Sequence, residues 1–255
     1  PCKTRRQRQM CIRDRRWIRV YLDQVLLNQV KIEIDGQAAR HLLQVLRLRV
    51  GDRFSAFNGD GSDYPCIITQ VRKQWLEASI DGLPSARPKS PIVCTLGQAL
   101  IKGDRMDWVI QKSVELGISC IVPLISERTE VRLKDERLAK RMQHWRGVIT
   151  SACEQCGRAD IPELHEPIAW HLWATQVQDK HRLVLIPGAQ SSFNQLELTD
   201  GSVSFAIGPE GGWTEAEESG WQEQGFTGVS LGPLILRAET ASIAVGSLIM
   251  LGRGS

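Results

Sequence analysis

A chain of 255 residues, 42% of them hydrophobic, can bury one large core or two modest ones. No apolar run approaches the roughly 20 residues needed to cross a bilayer, the first residues hold no apolar leader core, and seven cysteines make no small disulfide framework, so a soluble cytoplasmic protein is expected. The formal charge of +3 does not mark a basic body, because residues 1–16 carry seven Lys or Arg and one Asp and the remainder is net −3.

That first run, PCKTRRQRQMCIRDRR, reads as a non-native or disordered basic extension and is set aside from fold reasoning. Residues 17–83 follow as a series of short strands: Ile18 to Leu22, Lys31 to Ile34, Arg53 to Phe57, Tyr64 to Thr69 and Leu76 to Ile80. Asn58 to Gly61 (NGDG) marks a hairpin turn, and one helix is expected over Ala38 to Leu48. A small β-barrel is the economical solution for such a series. Asp81 to Pro91 carries three prolines and a glycine, and residues 84–91 are read as a linker.

From residue 92 to 255 strands alternate with helices. Ile92 to Ala99 precedes a helix over Asp104 to Leu116, and Cys120 to Leu124 precedes a helix over Asp135 to Cys156. Strands at Leu183 to Ile186 and Val203 to Ile207, a helix over Thr214 to Gln224, a strand at Val229 to Leu231 and a helix over Glu239 to Leu251 complete the series. Alternation of this kind gives a mostly parallel sheet covered by helices, with ligands held outside the carboxyl ends of the strands.

Two segments stand at such ends. Ile207 to Gly212 (IGPEGG) joins a buried strand to a helix that Thr214 caps, and Gly208, Gly211 and Gly212 let a ligand approach the main chain closely. Phosphate is the usual guest of a helix N-terminus. Here Glu210 lies within the loop, Thr214 and Glu217 have the spacing of a capping box, and Glu215 and Glu218 add further carboxylates. A ligand with hydroxyls, an adenine edge and a positive centre suits this loop better, and neither the dinucleotide nor the P-loop spacing is present. The second segment, Leu231 to Ala241 (LGPLILRAETA), carries Arg237, Glu239 and Thr240 into a helix of small residues; alone, its charges read equally well as a helix cap or a mutual pair.

Taken together, the two segments resemble the ribosomal RNA small subunit methyltransferase E family of the SPOUT class. Ile110 to Gly117 (IQKSVELG), Pro123 to Arg128 (PLISER) and Ala152 to Arg158 (ACEQCGR) extend the resemblance over roughly residues 17 to 251. The resemblance implies an α/β fold: a SPOUT-type parallel sheet with a C-terminal trefoil knot in residues 92–255, plus an N-terminal PUA-like β-barrel that binds RNA in residues 17–83. It implies a homodimer formed through the SPOUT domain, S-adenosyl-L-methionine as cofactor, and methylation of N3 of one uridine, conventionally called U1498, in 16S rRNA of the small ribosomal subunit. Family members begin near the equivalent of Ile18 to Tyr21, which agrees with setting the first residues aside.

The cofactor contacts so implied are Leu185, Ile186, Pro187, Ile207, Gly208, Pro209, Glu210, Gly211, Gly212, Leu231, Gly232, Leu236, Arg237, Thr240 and Ala241. Leu234 departs from the family, where an arginine is common. The imide nitrogen of uridine is protonated at neutral pH, so it must lose a proton and be held against the methyl donor. Arg237 is expected to orient the base or stabilise its developing charge, with Glu239 or Glu210 as proton acceptor or orienting partner. Arg19, Arg47, Lys102, Arg105, Gln155 and Arg158 are candidate RNA contacts, and Trp213 a stacking surface for a base. Cys153 and Cys156 form a CxxC without a second ligand pair, so no metal is expected. The competing readings are methylation of another RNA, a noncatalytic RNA-binding or ribosome-assembly role, and a phosphate-binding enzyme.

Overall fold

The computed structural model describes residues 18–87, 92–131, 135–193, 196, 198 and 201–252. The basic extension therefore lies outside the described residues. The chain's contacts divide it into two compact units, between Pro88 and Lys89.

The first unit is built on β1 (Arg19–Tyr21), β2 (Lys31–Ile34), β3 (Arg53–Phe57), β4 (Ser62–Arg72), β5 (Trp75–Ile80) and β6 (Ser85–Ala86). The sheet order is β1-β3-β4-β5-β2, with β6 added to β4. Alternate residues of the five main strands enter one core: Val20, Ile32 and Ile34, Phe54 and Ala56, Tyr64, Cys66 and Ile68, Leu76 and Ala78. One shared interior for every strand is the arrangement expected of a small barrel. The hairpin turn lies between β3 and β4, with Gly59 and Gly61 at φ 95° and 93°.

Two readings change here. The helix expected over Ala38 to Leu48 is a short α1 (Gly36–Arg40) that widens into a π-helical turn, His41–Val45, with Leu46 N–H donating to the His41 carbonyl. The wide turn keeps Leu42 fully buried, and Arg47, at φ 57°, then turns the chain out of the helix. The segment read as a linker begins as part of the first sheet, because β6 pairs with Ser62 and Asp63 and Arg87 N–H donates to the Gly61 carbonyl. Residues 88–91 lie outside the described residues.

The second unit is an all-parallel sheet of β7 (Cys94–Ala99), β8 (Cys120–Ile125), β9 (Glu163–Leu164), β10 (Ile168–Ala169), β11 (His181–Leu185), β12 (Ser191–Ser192), β13 (Val203–Ile207) and β14 (Thr227–Ser230). Its order is β10-β8-β7-β13-β11-β14-β12, with β9 on β8. The helices are α2 (Arg105–Leu116), α3 (Asp135–Cys156), α4 (Trp170–Gln176), α5 (Glu215–Glu223) and α6 (Ala238–Leu251). Because successive strand residues face opposite sides, β13 serves two layers. Ala206 joins Trp173, Trp213, Trp221 and Phe226 in a core with α4 and α5, whereas Phe205 approaches Gly246 of α6, which packs with α2. A Cβ at Gly97 of β7 would lie 2.6 Å from the Trp173 ring, so that strand must pass the indole without a side chain.

Candidate active site

Strands β7, β13, β11 and β14 are consecutive neighbours in the sheet and parallel, so the loops that leave their carboxyl ends lie side by side. The loop after β13 is held from several directions. Gly212 N–H donates to the Pro209 carbonyl at 2.9 Å and adopts φ 68°, a backbone that a side chain would strain. Glu210 accepts from the Lys102 N–H at 3.1 Å and from Arg105 at 2.8 Å, both in the loop and first turn beyond β7. Arg128, just beyond β8, donates to the Gly211 and Trp213 carbonyls. The capping box is formed: Glu217 N–H donates to Thr214 Oγ1, Thr214 N–H donates to Glu217 Oε2, and Glu217 Oε1 also accepts from Glu127 N–H at 2.9 Å. At position 208 the packing is tight, since a Cβ there would lie 3.2 Å from the Trp213 indole and the ring would have to give way by a few tenths of an ångström.

The loop after β14 turns at Gly232, φ 121°, and exposes Leu234 and Ile235. Arg237 follows as the extended N-cap residue of α6, with its side chain in solvent. Glu239 is only 8% exposed, yet its Oε2 has no hydrogen-bond partner among the described residues. Among the described residues the two form no ion pair, which removes the reading in which they merely neutralise each other. The Ser242 hydroxyl, one turn on, lies within hydrogen-bond reach of Gln98 Oε1 and of the Ala238 carbonyl, tying the start of α6 to β7.

These loops enclose a cavity of about 490 Å³, walled by Leu185, Pro187, the run Ile207 to Trp213, the run Ile235 to Ala238, Ala241 and Arg105. Most of the cofactor residues expected from the sequence line it. Ile186 instead buries its side chain in the tryptophan core, and Leu231, Gly232 and Thr240 lie off its wall. Ile235 and Ala238 lie within the Leu231–Ala241 segment singled out in the sequence, whereas the role of Arg128 went unread. A second cavity of about 500 Å³, shallow and widely open to solvent, adjoins it through Arg105 and is lined by Lys102, Gly103, Asp104, Trp108 and Glu239.

The candidate RNA contacts separate under the structure. Lys102 and Arg105 border the cavities, and Arg47 and Gln155 are exposed on their respective units. Three expectations are corrected. Arg19 is buried, paired with Asp63 at 2.7 Å and stacked over Phe57, so its charge serves the first core. Arg158 donates to Asp160 and to the Ile118 carbonyl at 2.7 Å, joining the end of α3 to the end of α2. Trp213 is 4% exposed and packs on Trp221 with ring centroids 5.2 Å apart, so it is a wall and not a free stacking surface. Of the CxxC, Cys153 is buried, its thiol near the Asp160 carbonyl, while Cys156 is exposed. A different trio, Cys120, Glu163 and His165, brings potential ligand atoms within 4.8 Å of one another at the opposite, amino edge of the sheet.

Residues 88–250 match the family described as an RNA methyltransferase domain, and residues 34–81 the family described as an RNA methyltransferase PUA domain. The chain is 33% identical over 228 residues to the ribosomal RNA small subunit methyltransferase E of Buchnera aphidicola, covering 89% of this chain and 92% of that protein. With its Bacillus subtilis counterpart it shares 30% identity, over 85% of this chain and 88% of the relative. Among solved structures, the Neisseria gonorrhoeae ribosomal RNA small subunit methyltransferase E bound to S-adenosyl methionine superposes with a TM-score of 0.85 at 35% identity, covering 92% and 97% of the two chains. A Legionella pneumophila protein solved with bound S-adenosylmethionine gives a TM-score of 0.89 at 36% identity, over 93% and 98%.

Proposed function

Because the chain belongs to the ribosomal RNA small subunit methyltransferase E family, we propose that it methylates N3 of a uridine in 16S rRNA of the small ribosomal subunit, the m3U1498 type, using S-adenosylmethionine. The observation that carries this reading is the cavity between the two glycine-containing loops. Its walls are apolar at Leu185, Ile207 and Ile235, it offers main chain on both sides, and the first turn of α5 is filled with carboxylates. Such a place disfavours triphosphates and fits a planar base, ribose hydroxyls and a cationic sulfur. The Trp213 indole N–H, buried on that wall without a partner among the described residues, is an unfilled donor that a ligand would satisfy.

The residues that would hold the cofactor are those of the cavity wall. When bound, S-adenosylmethionine supplies an electrophilic methyl carbon, whose bond to sulfur breaks, with the electron pair left on sulfur, as the new bond to nitrogen forms. The chain's part is to free the nitrogen lone pair and to place it. Glu239 takes the imide proton. Glu210 is less suited, since Arg105 and the Lys102 amide already occupy its carboxylate. Arg237, exposed at the mouth of the cavity, orients the base and offsets the charge that spreads onto its oxygens. A homodimer through this unit is supported by Leu234, Ile235, Leu248 and Leu251, exposed apolar residues on α6 and the loop before it. The deep trefoil knot belongs to the same reading.

The test is transfer of labelled methyl from S-adenosylmethionine to unmethylated small subunits and to naked 16S rRNA, with the product mapped. Label at N3 of one uridine is expected, and Arg237→Ala should lower kcat by roughly 10²- to 10³-fold with cofactor affinity kept. Cofactor binding without transfer to either RNA would reject the reaction and favour a binding role.

A further inference from the structure

We propose that the second cavity is the pocket for the target base, and that Trp108, Glu239 and the cations lining it select uracil there. The proposal rests on the reaction given above and adds how the base is chosen. Trp108 lies on the first turn of α2 and is 46% exposed, whereas Trp145, Trp173, Trp213 and Trp221 are all at most 6% exposed. Its ring meets no other aromatic ring or guanidinium among the described residues. An indole left half in water on a cavity wall is a ready platform for an unstacked base, the usual means of holding single-stranded RNA.

Glu239 lines the same cavity, more than nine-tenths buried and with one carboxylate oxygen unpartnered among the described residues. A buried carboxylate oxygen without a donor is rare, and here the donor would come from the ligand. Lys102 and Arg105 line the same cavity. They pair with Glu130 and Glu210 respectively, but an ammonium carries three N–H groups and a guanidinium five, so donors remain. The lining therefore combines a carboxylate acceptor with cationic donors. Uracil presents the complement, an N3–H between two carbonyl oxygens. Cytosine does not: its N3 lone pair would face the carboxylate, and its amine would face a cation.

The experiment uses the full-length protein, unmethylated small ribosomal subunits, and the same subunits with the mapped uridine replaced by cytidine. Trp108→Ala is expected to raise KM for subunits about tenfold while the Kd for S-adenosylmethionine, measured calorimetrically, stays within twofold. Trp108→Phe should restore most of the loss. Wild-type protein is expected to bind uridine subunits about tenfold more tightly than cytidine subunits, and Glu239→Gln, which can also donate, should narrow that preference to about twofold. A wild-type KM in Trp108→Ala, or equal binding of the two subunits by wild-type protein, would overturn the proposal. Absence of any transfer by wild-type protein is a separate result, which rejects the reaction itself and the pocket with it.

Discussion

Arg128 donates to the carbonyl of Gly211 at 2.7 Å, and the same nitrogen reaches the carbonyl of Trp213 at 3.1 Å, so a residue beyond β8 sets the shape of a loop two strands away. Its aliphatic stem also lies 3.3 Å from where a Cβ at Gly211 would stand. Arg128→Ala is therefore expected to loosen the loop after β13 and weaken S-adenosylmethionine binding by about tenfold, ~1.4 kcal/mol. Titration calorimetry measures this directly, and an unchanged Kd would mean that the loop holds its shape without the clamp.

The cap of α5 gives a graded pair. Thr214→Ala removes one acceptor for an orphan N–H and should cost about 1 kcal/mol. Glu217→Ala should cost more, because Glu217 is buried and its two oxygens serve both Thr214 N–H and Glu127 N–H. Thermal unfolding of the two variants checks the order; equal or reversed losses would contradict it.

In the first unit, Asp63 is 4% exposed and lies between Arg19 and Arg87, at 2.7 and 2.5 Å. Asp63→Ala takes the counter-charge from a guanidinium whose side chain is 5% exposed, which should cost about 3–5 kcal/mol. Urea denaturation should place that loss in the first unit, and a variant within 1 kcal/mol of wild type by the same order-of-magnitude scale would show that water replaces the carboxylate.

Burial pushes the thiols of Cys66 and Cys120 from the ordinary 9.0 up to about 12, with Glu163 and Asp179 adding to the effect at Cys120. The folded state thus favours the protonated thiols. Their contribution is fully present below pH 9 and is lost as pH rises towards 12, because the unfolded chain releases those protons first. Unfolding free energy should fall over that window, and Cys66→Ala with Cys120→Ala should flatten this part of the profile. Exposed Cys156 should be alkylated at pH 8 well before either.

What could be read from the chain alone was mostly local. The strands Lys31–Ile34, Arg53–Phe57 and Val203–Ile207, the long helix Asp135–Cys156 and the Thr214–Glu217 cap each depend on neighbours within a few residues. The two-residue strands β9, β10 and β12 exist only through their partners and carry no periodicity of their own. Trp213 beside a glycine loop looked like a free platform, yet Trp221, eight residues on, covers it through the fold. The clamping role of Arg128 gave no signal, since its acceptors lie more than eighty residues away. The separation of Arg237 from Glu239 was legible in principle, because residues two apart on a helix face different ways.

The site is assembled from loops near residues 102, 128, 186, 210 and 237, so its last pieces are also the last to be made. The first unit, complete by Pro88, can fold while the rest is still being translated. At about 5–20 residues per second, roughly 8 to 33 s of synthesis separate that point from the end of α6. Throughout that interval a nascent chain holds its barrel without the cavity that α6 completes, so a ribosome stalled before α6 emerges would display the first unit alone.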